Sequence, residues 1–306
     1  MDIQALKEEL HLLSNPVMPS MLNIFNSTIV SFVVLGAMLG VALGFNAITK
    51  EVEDGTLKSL LSSPVFRDEL IVGKMIGATI TLAFSLAIIF LIAIGVLLIY
   101  RIVPGNEDLI RISLFYIVTL LYCLVFFSIA MTASVFSKSS SMSLLTTISI
   151  VVVFSLATII SPLISNVITL VLLGPAPELS YSINPSESSV FEYNGSTHLL
   201  QSETNFFKLD AIYNEKRENI IDAITIFSPI DNYGGNVFIG NKGIASYILS
   251  PVEYKLHNYV VDILPVGIKV TLPETIHLIW FKVLLLISEI SAAFAISYTK
   301  FRNIDV

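Results

Sequence analysis

Few side chains in the 306-residue chain could do chemistry, and they form no catalytic pattern. The four histidines are far apart in the sequence and match no HExxH or other metal-ligand spacing; they are His11, His198, His257 and His277. No GxxxxGK(S/T) phosphate-binding loop occurs, although residues 235–242 miss that pattern by one position. The single cysteine, Cys123, excludes an internal disulfide. We therefore expect no enzymatic activity, metal or cofactor in this chain.

Two charged residues, Lys282 and Glu289, lie within the last apolar run of the sequence. They are seven residues apart, so they share one helix face about two turns apart. Ionisable residues inside a membrane commonly mark functional sites. Lys282 is close to the outer end of the run and is expected to extend its ammonium group to the interface. Glu289 is expected to face other helices, near Ser288 and Ser291, either on a transport path or as a structural hydrogen-bonding group.

The composition is that of a membrane protein. Hydrophobic residues make up 54% of the chain and charged residues 13%, with a mean hydropathy of +0.81. Soluble domains carry about 25% charged residues. The net charge is −7, and residues 173–275 hold twelve acidic and six basic residues. A nucleic-acid partner is therefore not expected.

Five apolar runs are long enough to cross about 30 Å of hydrocarbon. They are residues 22–49, 70–100, 112–136, 142–161 and 276–299. The fourth run is interrupted at Ser161-Pro162, so its continuation, residues 163–173, is expected to be kinked or partly re-entrant. The predicted fold class is an all-α polytopic membrane protein with about five transmembrane helices.

The chain divides into four regions. Residues 1–22 are an extracytoplasmic amphipathic segment, and their acidic start is not that of a signal peptide. Residues 23–172 form a four-span membrane region that contains a charged hairpin at residues 50–69. Residues 173–275 are an extracytoplasmic insert of roughly 100 residues, and residues 276–306 are the last span and a cytoplasmic tail.

The insert is predicted to be mixed α/β. Residues 189–200 have the pattern of two strands joined by an Asn-Gly turn. Glu215–Phe227 has the pattern of an amphipathic helix, with its apolar residues on one face. Those apolar residues are Ile220, Ile221, Ile224 and Phe227.

Glycines at helical spacing lie in the first two spans. Gly36, Gly40 and Gly44 form one row, and Gly73 and Gly77 form another. Such rows allow two membrane helices to approach closely, so we expect these glycines to pack against other helices. The alternative is that glycine is simply more frequent in membrane helices.

Basic residues are concentrated in alternate short loops and in the tail. Those segments contain Lys50, Lys58, Arg67, Lys138, Lys300 and Arg302, whereas the one short loop on the other side has Arg101 and Arg111 at its margins. The positive-inside rule then places the hairpin and the C-terminus in the cytoplasm. The N-terminus and the insert are expected outside.

The hairpin has the chemistry of a docking helix. Val52, Leu57, Leu60 and Leu61 can form one apolar face, while charged residues lie elsewhere. Gly55 permits a turn or a close approach. A helix of this kind could dock in a groove of a soluble partner and transmit movement to the spans. The alternative is a solvated loop whose charges set only the topology.

The hairpin resembles that of permease subunits of ATP-binding-cassette type-2 exporters, most closely the branch of copper-maturation and sodium-efflux permeases. The family pattern is E-x-E-x-G-T-L, then L-L-x-x-P-x-x-R, then G-K. The matching residues are Glu51, Glu53, Gly55, Thr56, Leu57, Leu60, Leu61, Pro64, Arg67, Gly73 and Lys74. The resemblance covers about thirty residues and implies that residues 50–69 are the cytoplasmic helix that couples to an ATPase.

The resemblance also implies partners. A separate ATPase, in two copies, would bind ATP and Mg²⁺, and the permease would form a homodimer or heterodimer within the lipid of the cell membrane. The family has six spans, with the coupling helix after the second; here it follows the first, so a truncated chain, a misassigned start or a five-span protein is expected. The family is one of exporters, and the substrate is not specified.

Two other functions are consistent with the spans. One is a non-transporting membrane anchor or receptor whose extracytoplasmic domain binds a partner. The other is a secondary transporter, which should show polar, broken helices in two related halves. No internal repeat is present.

Overall fold

A computed structural model describes residues 21–56, 67–175, 212–235, 242–250, 252–255 and 266–302. The predicted segment 1–20 and the predicted strands at residues 189–200 lie outside these ranges. Five described helices are long and apolar enough to cross a membrane, as the sequence predicts.

The described elements follow one another from α1 to α10. They are α1 Met21–Ser27, α2 Ile29–Gly44, α3 Thr49–Glu53, α4 Arg67–Ile99, α5 Asn106–Phe136, α6 Ser140–Leu173, α7 residues 212–225, α8 Pro229–Gly234, α9 Ile244–Leu249, β1 Val252–Lys255, β2 Val266–Lys269 and α10 Leu272–Arg302. The long helices are α2, α4, α5, α6 and α10, and the hairpin and the insert lie at opposite ends of them.

The centre of the bundle is α5. In its most apolar window 61% of the residues are buried, against 11–33% in the other four spans. Aromatic rings fill the half of the bundle nearest the insert: Phe90 and Phe115 have ring centroids 5.5 Å apart, and Tyr122 stacks on Tyr233 at 4.3 Å. The other spans therefore pack around α5 on one side and leave apolar faces exposed on the other.

The row of glycines on α2 lies directly against α5. A Cβ atom on Gly36 would lie 3.0 Å from Tyr122 Cδ1, and one on Gly44 would lie 2.6 Å from Ala130 Cβ. A Cβ atom on Gly40 would collide with the backbone carbonyl of Cys123. Small residues thus let the two backbones approach one another.

The second glycine row differs from the expectation. A Cβ atom on Gly73 or on Gly77 would meet no atom within 4 Å in the described part of the chain. These glycines lie on an exposed face of α4, so a packing role for them stays a prediction.

The fourth span is one continuous helix of 34 residues, with Pro162 inside it. A re-entrant return at Ser161-Pro162 is therefore wrong. Proline removes one backbone donor and leaves the Thr158 carbonyl without its usual helical partner. The Ser161 hydroxyl donates to this carbonyl at 3.2 Å. At about 1.5 Å per residue the helix is about 50 Å long, so it extends beyond the hydrocarbon layer.

The described part of the insert consists of α7, α8, α9 and one antiparallel pair of short strands, in which Val252 is opposite Lys269. The prediction of a mixed α/β insert stays a prediction, because much of this region lies outside the described residues. The predicted helix forms, but its buried face is different. Ile221 and Thr225 are buried, whereas Ile224 and Phe227 are exposed.

Replacing Gly40 by alanine should destabilise the protein. The added methyl group meets backbone atoms of α5, which cannot move without displacing the helix, and overpacking of this kind costs about 1–3 kcal/mol. Thermal unfolding of the purified protein should show a lower Tm for Gly40→Ala. Gly77→Ala is the matched control, and an equal loss of stability in both variants would contradict the packing role.

Candidate functional site

The hairpin begins at the end of α2 and is fixed to α5 by one side chain. The backbone N–H groups of Ile48 and Thr49 both donate to the Ser134 hydroxyl oxygen, at 2.9 and 3.0 Å. Thr49 is completely buried. These bonds satisfy donors at the start of α3, which would otherwise be unpaired. The first turn of the hairpin is therefore attached to the central helix.

The Glu51 carboxylate attaches α3 to the second span. Lys74 donates to Glu51 Oε1 at 2.6 Å, and the same ammonium group also donates to the Ala47 carbonyl. Both ionised groups are partly buried, which makes this pair stronger than an exposed surface pair. The bond joins the hairpin to α4, which is the helix that leads away from it.

The Glu53 carboxylate attaches α3 to the fourth span. The backbone N–H of Ser140 donates to Glu53 Oε1 at 3.0 Å, and its hydroxyl donates to Glu53 Oε2 at 2.5 Å. Ser140 is the first residue of α6. A carboxylate at a helix N-terminus is favourable because the unpaired N–H groups there carry partial positive charge. The two carboxylates that the sequence singled out therefore bind the protein's own helices.

The opposite side of the hairpin is exposed. Lys50, Val52, Asp54 and Thr56 all have exposed side chains, and Val52 is 41% exposed. Gly55 has φ +68°, in the left-handed region, so the chain turns sharply at this glycine. Four predicted coupling residues lie outside the described residues: Leu57, Leu60, Leu61 and Pro64. Arg67 is the first residue of α4.

At the other end of the bundle, the short helix α8 inserts between the spans. The Ser228 hydroxyl caps it, accepting from Asp231 N–H, and Pro229 occupies the first turn, where no donor is needed. All six residues of α8 are buried, including two that are polar or charged, Asp231 and Asn232.

Each polar side chain of α8 reaches a different neighbour. Thr158 of α6 donates to Asp231 Oδ2 at 2.6 Å. The hydroxyls of Tyr233 and Thr119 of α5 are 2.8 Å apart and share a hydrogen bond. Burial raises the pKa of the Asp231 carboxyl, and the hydrogen bond from Thr158 opposes that rise. A segment of the insert is therefore part of the interior of the bundle.

Glu289 faces α8 from the last span. Its polar neighbour is Asn232, whose amide acts on the carboxylate, and both carboxylate oxygens are buried without a hydrogen bond of good geometry among the described residues. Ser288 and Ser291 do not line this site, because both are exposed and donate to carbonyls of their own helix. Burying an ionised carboxylate without a partner costs several kcal/mol, so an ionisable residue at such a position is a candidate for function.

Lys282 does not extend freely to the interface. Its ammonium group donates to Asp222 Oδ1 of α7 and to the Lys242 carbonyl, both at 3.2 Å. The last span is thus tied to the insert by an ion pair that no local pattern in the sequence indicates.

Arg111 is a second connection that the sequence did not reveal. It is 1% exposed and donates to the carbonyls of Ile248 and Val270 at 3.4 and 2.9 Å. It also donates to the Thr275 hydroxyl at 3.2 Å and pairs with Glu107 at 2.9 Å. In the sequence, Arg111 lies at the margin of a loop, where a basic residue indicates membrane topology. In the structure, Arg111 joins α5 to the insert and to α10.

The described residues contain no group of three or more histidine, cysteine or acidic side chains that could hold a metal ion. The absence of a metal or cofactor site in the whole chain stays a prediction.

Five apolar helices, with a charged hairpin at one end and an inserted helix at the other, define a polytopic α-helical membrane protein. The family model described as ABC-2 family transporter protein matches residues 2–306, so the chain belongs to this family. No curated protein matches the chain. Membership indicates a permease subunit of an ABC transporter, a class that works with an ABC ATPase.

Replacing Arg111 by glutamine should loosen the insert. The shorter side chain cannot reach the carbonyls of Ile248 and Val270, and unsatisfied buried groups cost about 1–3 kcal/mol each. Hydrogen exchange should become faster in α9 of Arg111→Gln. Arg101→Gln, at an exposed position in the same loop region, should leave the exchange unchanged. Equal exchange rates in α9 for wild type and Arg111→Gln would exclude this connection.

Proposed function

We propose that this chain is the permease subunit of an ABC exporter and that its hairpin receives the movement of a cytoplasmic ATPase. One observation supports this most directly. The inner side of the hairpin is bonded to α4, α5 and α6, while its outer side is exposed. A rigid segment with these two sides can transmit a push from a soluble partner to several spans.

In this proposal two ATPase copies, which bind ATP and Mg²⁺, dock on a homodimer or heterodimer of permeases. The hairpin and the C-terminus face the cytoplasm, and the insert and the N-terminus of this chain face outward. Closure of the ATPases moves α3, and the bonds to Ser134, Lys74 and Ser140 carry the movement into the bundle. Export, the cell-membrane location and the copper-maturation and sodium-efflux branch rest on the resemblance of the hairpin.

The two sides of the hairpin should have separable roles. Glu51 and Glu53 point to other helices, so we assign them to transmission. Lys50, Val52 and Asp54 are exposed and, unlike the exposed Glu53, have no side-chain hydrogen bond to another helix in the described part of the chain, so we assign them to docking. Thr56, Leu57, Leu60, Leu61, Pro64 and Arg67 continue the proposed coupling segment, and Gly55 gives it its turn.

The double variant Glu51→Gln/Glu53→Gln should uncouple ATP hydrolysis from the permease. The ATPase should still bind with an affinity within about threefold of wild type, because the docking side is unchanged, while stimulation of ATP hydrolysis by the permease is lost. Lys50→Glu with Val52→Asp should instead weaken binding at least about tenfold, since it alters charge and apolar contact at the interface. Binding and hydrolysis are measured with the purified permease in lipid nanodiscs and the candidate ATPase.

Arg101→Glu, a charge reversal at the opposite end of the bundle, is the control and should change neither property. Loss of ATPase binding in both double variants of the hairpin would contradict the division into docking and transmission residues. If no ABC ATPase binds the wild-type protein, the coupling role is wrong and a membrane anchor, with a partner bound by the outer insert, takes its place.

We further propose that Glu289 lies on the transport path. Glu289→Gln keeps the size of the side chain and removes its charge. In vesicles that contain the assembled complex, the stimulation of ATP hydrolysis by the permease should fall about tenfold, a typical size for an allosteric coupling. ATPase binding should be unchanged. Ser288→Ala, next to it on the exposed face, should have no effect. Wild-type rates in Glu289→Gln would remove Glu289 from the path.

A further inference from the structure

A groove runs between α2 and α6 on the side of the bundle away from α4. Its volume is about 550 Å³, and its walls are apolar side chains of the two helices, such as Met38 and Val152. Tyr122 of α5 forms its floor, and Ile230 of α8 lies at the end nearest the insert. Pockets for small molecules have volumes of about 300–1,000 Å³, so the groove is large enough for one organic molecule.

The groove is elongated. Its lining extends over residues 33–45 of α2 and 144–159 of α6. At 1.5 Å per residue this is a length of about 20 Å, roughly two-thirds of the hydrocarbon thickness. An occupant therefore needs an apolar body that lies parallel to the helices.

One end of the groove is polar. Ser155 and Thr158 line it at the end nearest the insert. The Thr158 hydroxyl donates to Asp231 Oδ2 at 2.6 Å, so the carboxylate lies immediately behind the groove lining. Ile230, the neighbour of Asp231 on α8, is itself part of the lining. The insert thus places an acidic group behind the polar end of the groove, separated from it by the Thr158 side chain.

The Asp231 carboxylate has no cationic partner among the described residues. The residue is 5% exposed, and Oδ1 accepts no hydrogen bond in the described part of the chain. The charged groups that act on it are Lys282 of α10 and Asp222 of α7, and Lys282 forms its ion pair with Asp222. Residues 29–44 of α2 and 140–173 of α6 contain no charged residue. A cation bound near this carboxyl would favour its ionised form.

We propose that the groove binds an amphipathic organic cation, with its apolar body between α2 and α6 and its positive charge beside Asp231. This inference rests on the proposed transport function, because it names the substrate class of that permease. Charge complementarity favours a cation over the other molecules that could occupy the groove. The carboxylate behind Thr158 attracts a cation at this end of the groove, does not attract a neutral apolar molecule, and repels the phosphate of a phospholipid.

Tetraphenylphosphonium and tetraphenylborate provide the test, because they match in size and shape and have opposite charges. Equilibrium binding is measured with the purified full-length chain in phosphatidylcholine nanodiscs, and binding to empty discs is subtracted. Wild type should bind the phosphonium at least about tenfold more tightly than the borate. Asp231→Asn keeps the shape and should lose that preference.

Two further variants locate the site. Glu215→Gln removes an exposed carboxylate of α7, to which no role is assigned, and should bind both probes like wild type. Val152→Trp places a large side chain in the groove, at a position 47% exposed, where folding should tolerate it, and should abolish binding of both probes. Unchanged phosphonium binding in Val152→Trp, or an unchanged charge preference in Asp231→Asn, would overturn the proposal.

The proposal predicts the direction in which phosphonium binding changes with pH. Because burial raises the pKa of Asp231, and a cation binds only its ionised form, phosphonium binding should weaken as the pH falls through that pKa. Asp231→Asn should lose the part of this dependence that comes from Asp231, since the Glu289 carboxyl, which also faces α8, is present in both proteins. Equal binding of both probes, or a covalent dimer formed by the single variant Met38→Cys under oxidising conditions, would contradict the proposal. Failure here leaves the ATPase docking result untouched, so the two proposals fail separately.

Discussion

The close approach of α2 to α5 is the contact on which the other parts of the structure depend. It needs Gly40 and Gly44, since any side chain there would collide with α5. Once the two helices are joined, the end of α2 brings Ile48 and Thr49 to Ser134, which fixes the start of the hairpin. The same contact sets the edge of α2 against which α8 packs. A glycine row in one span thus positions features at both ends of the bundle.

The hairpin and the insert are attached to the spans by the same kind of interaction. Charged side chains at the ends of long helices bond to short segments that would otherwise be weakly held. Lys74 binds α3 at the hairpin end, and Arg111 and Lys282 bind segments of the insert. Because these bonds lie at the margins of the apolar layer, the charges can be partly buried without lying in hydrocarbon. Movement of the hairpin or of the insert can therefore be transmitted to the long helices.

Acidic residues in this protein fall into two groups. Glu51 and Glu53 have partners within the chain and hold the hairpin in place. Asp231 of α8 and Glu289, which faces α8, have buried oxygens without a hydrogen bond among the described residues, and Glu51 Oε2 is another such oxygen. Glu51 forms an ion pair with Lys74, whereas Asp231 and Glu289 have no ion pair in the described part of the chain, so we assign these two the proposed transport roles. The helix that the insert places between the spans is therefore where the proposed transport sites meet.

The sequence by itself determined the five spans, the charged hairpin and the glycine row on α2, because length, hydropathy and residue spacing are local properties. It also indicated Glu289, since a charge in an apolar run is visible without a fold. Only the tertiary structure decided that α6 continues through Pro162 and that α8, which carries Asp231, enters the bundle. Arg111 appeared to be a topology signal and proved to be a buried connection. The place of α8 and the burial of Arg111 depend on contacts between residues more than seventy positions apart, and no local pattern encodes such contacts.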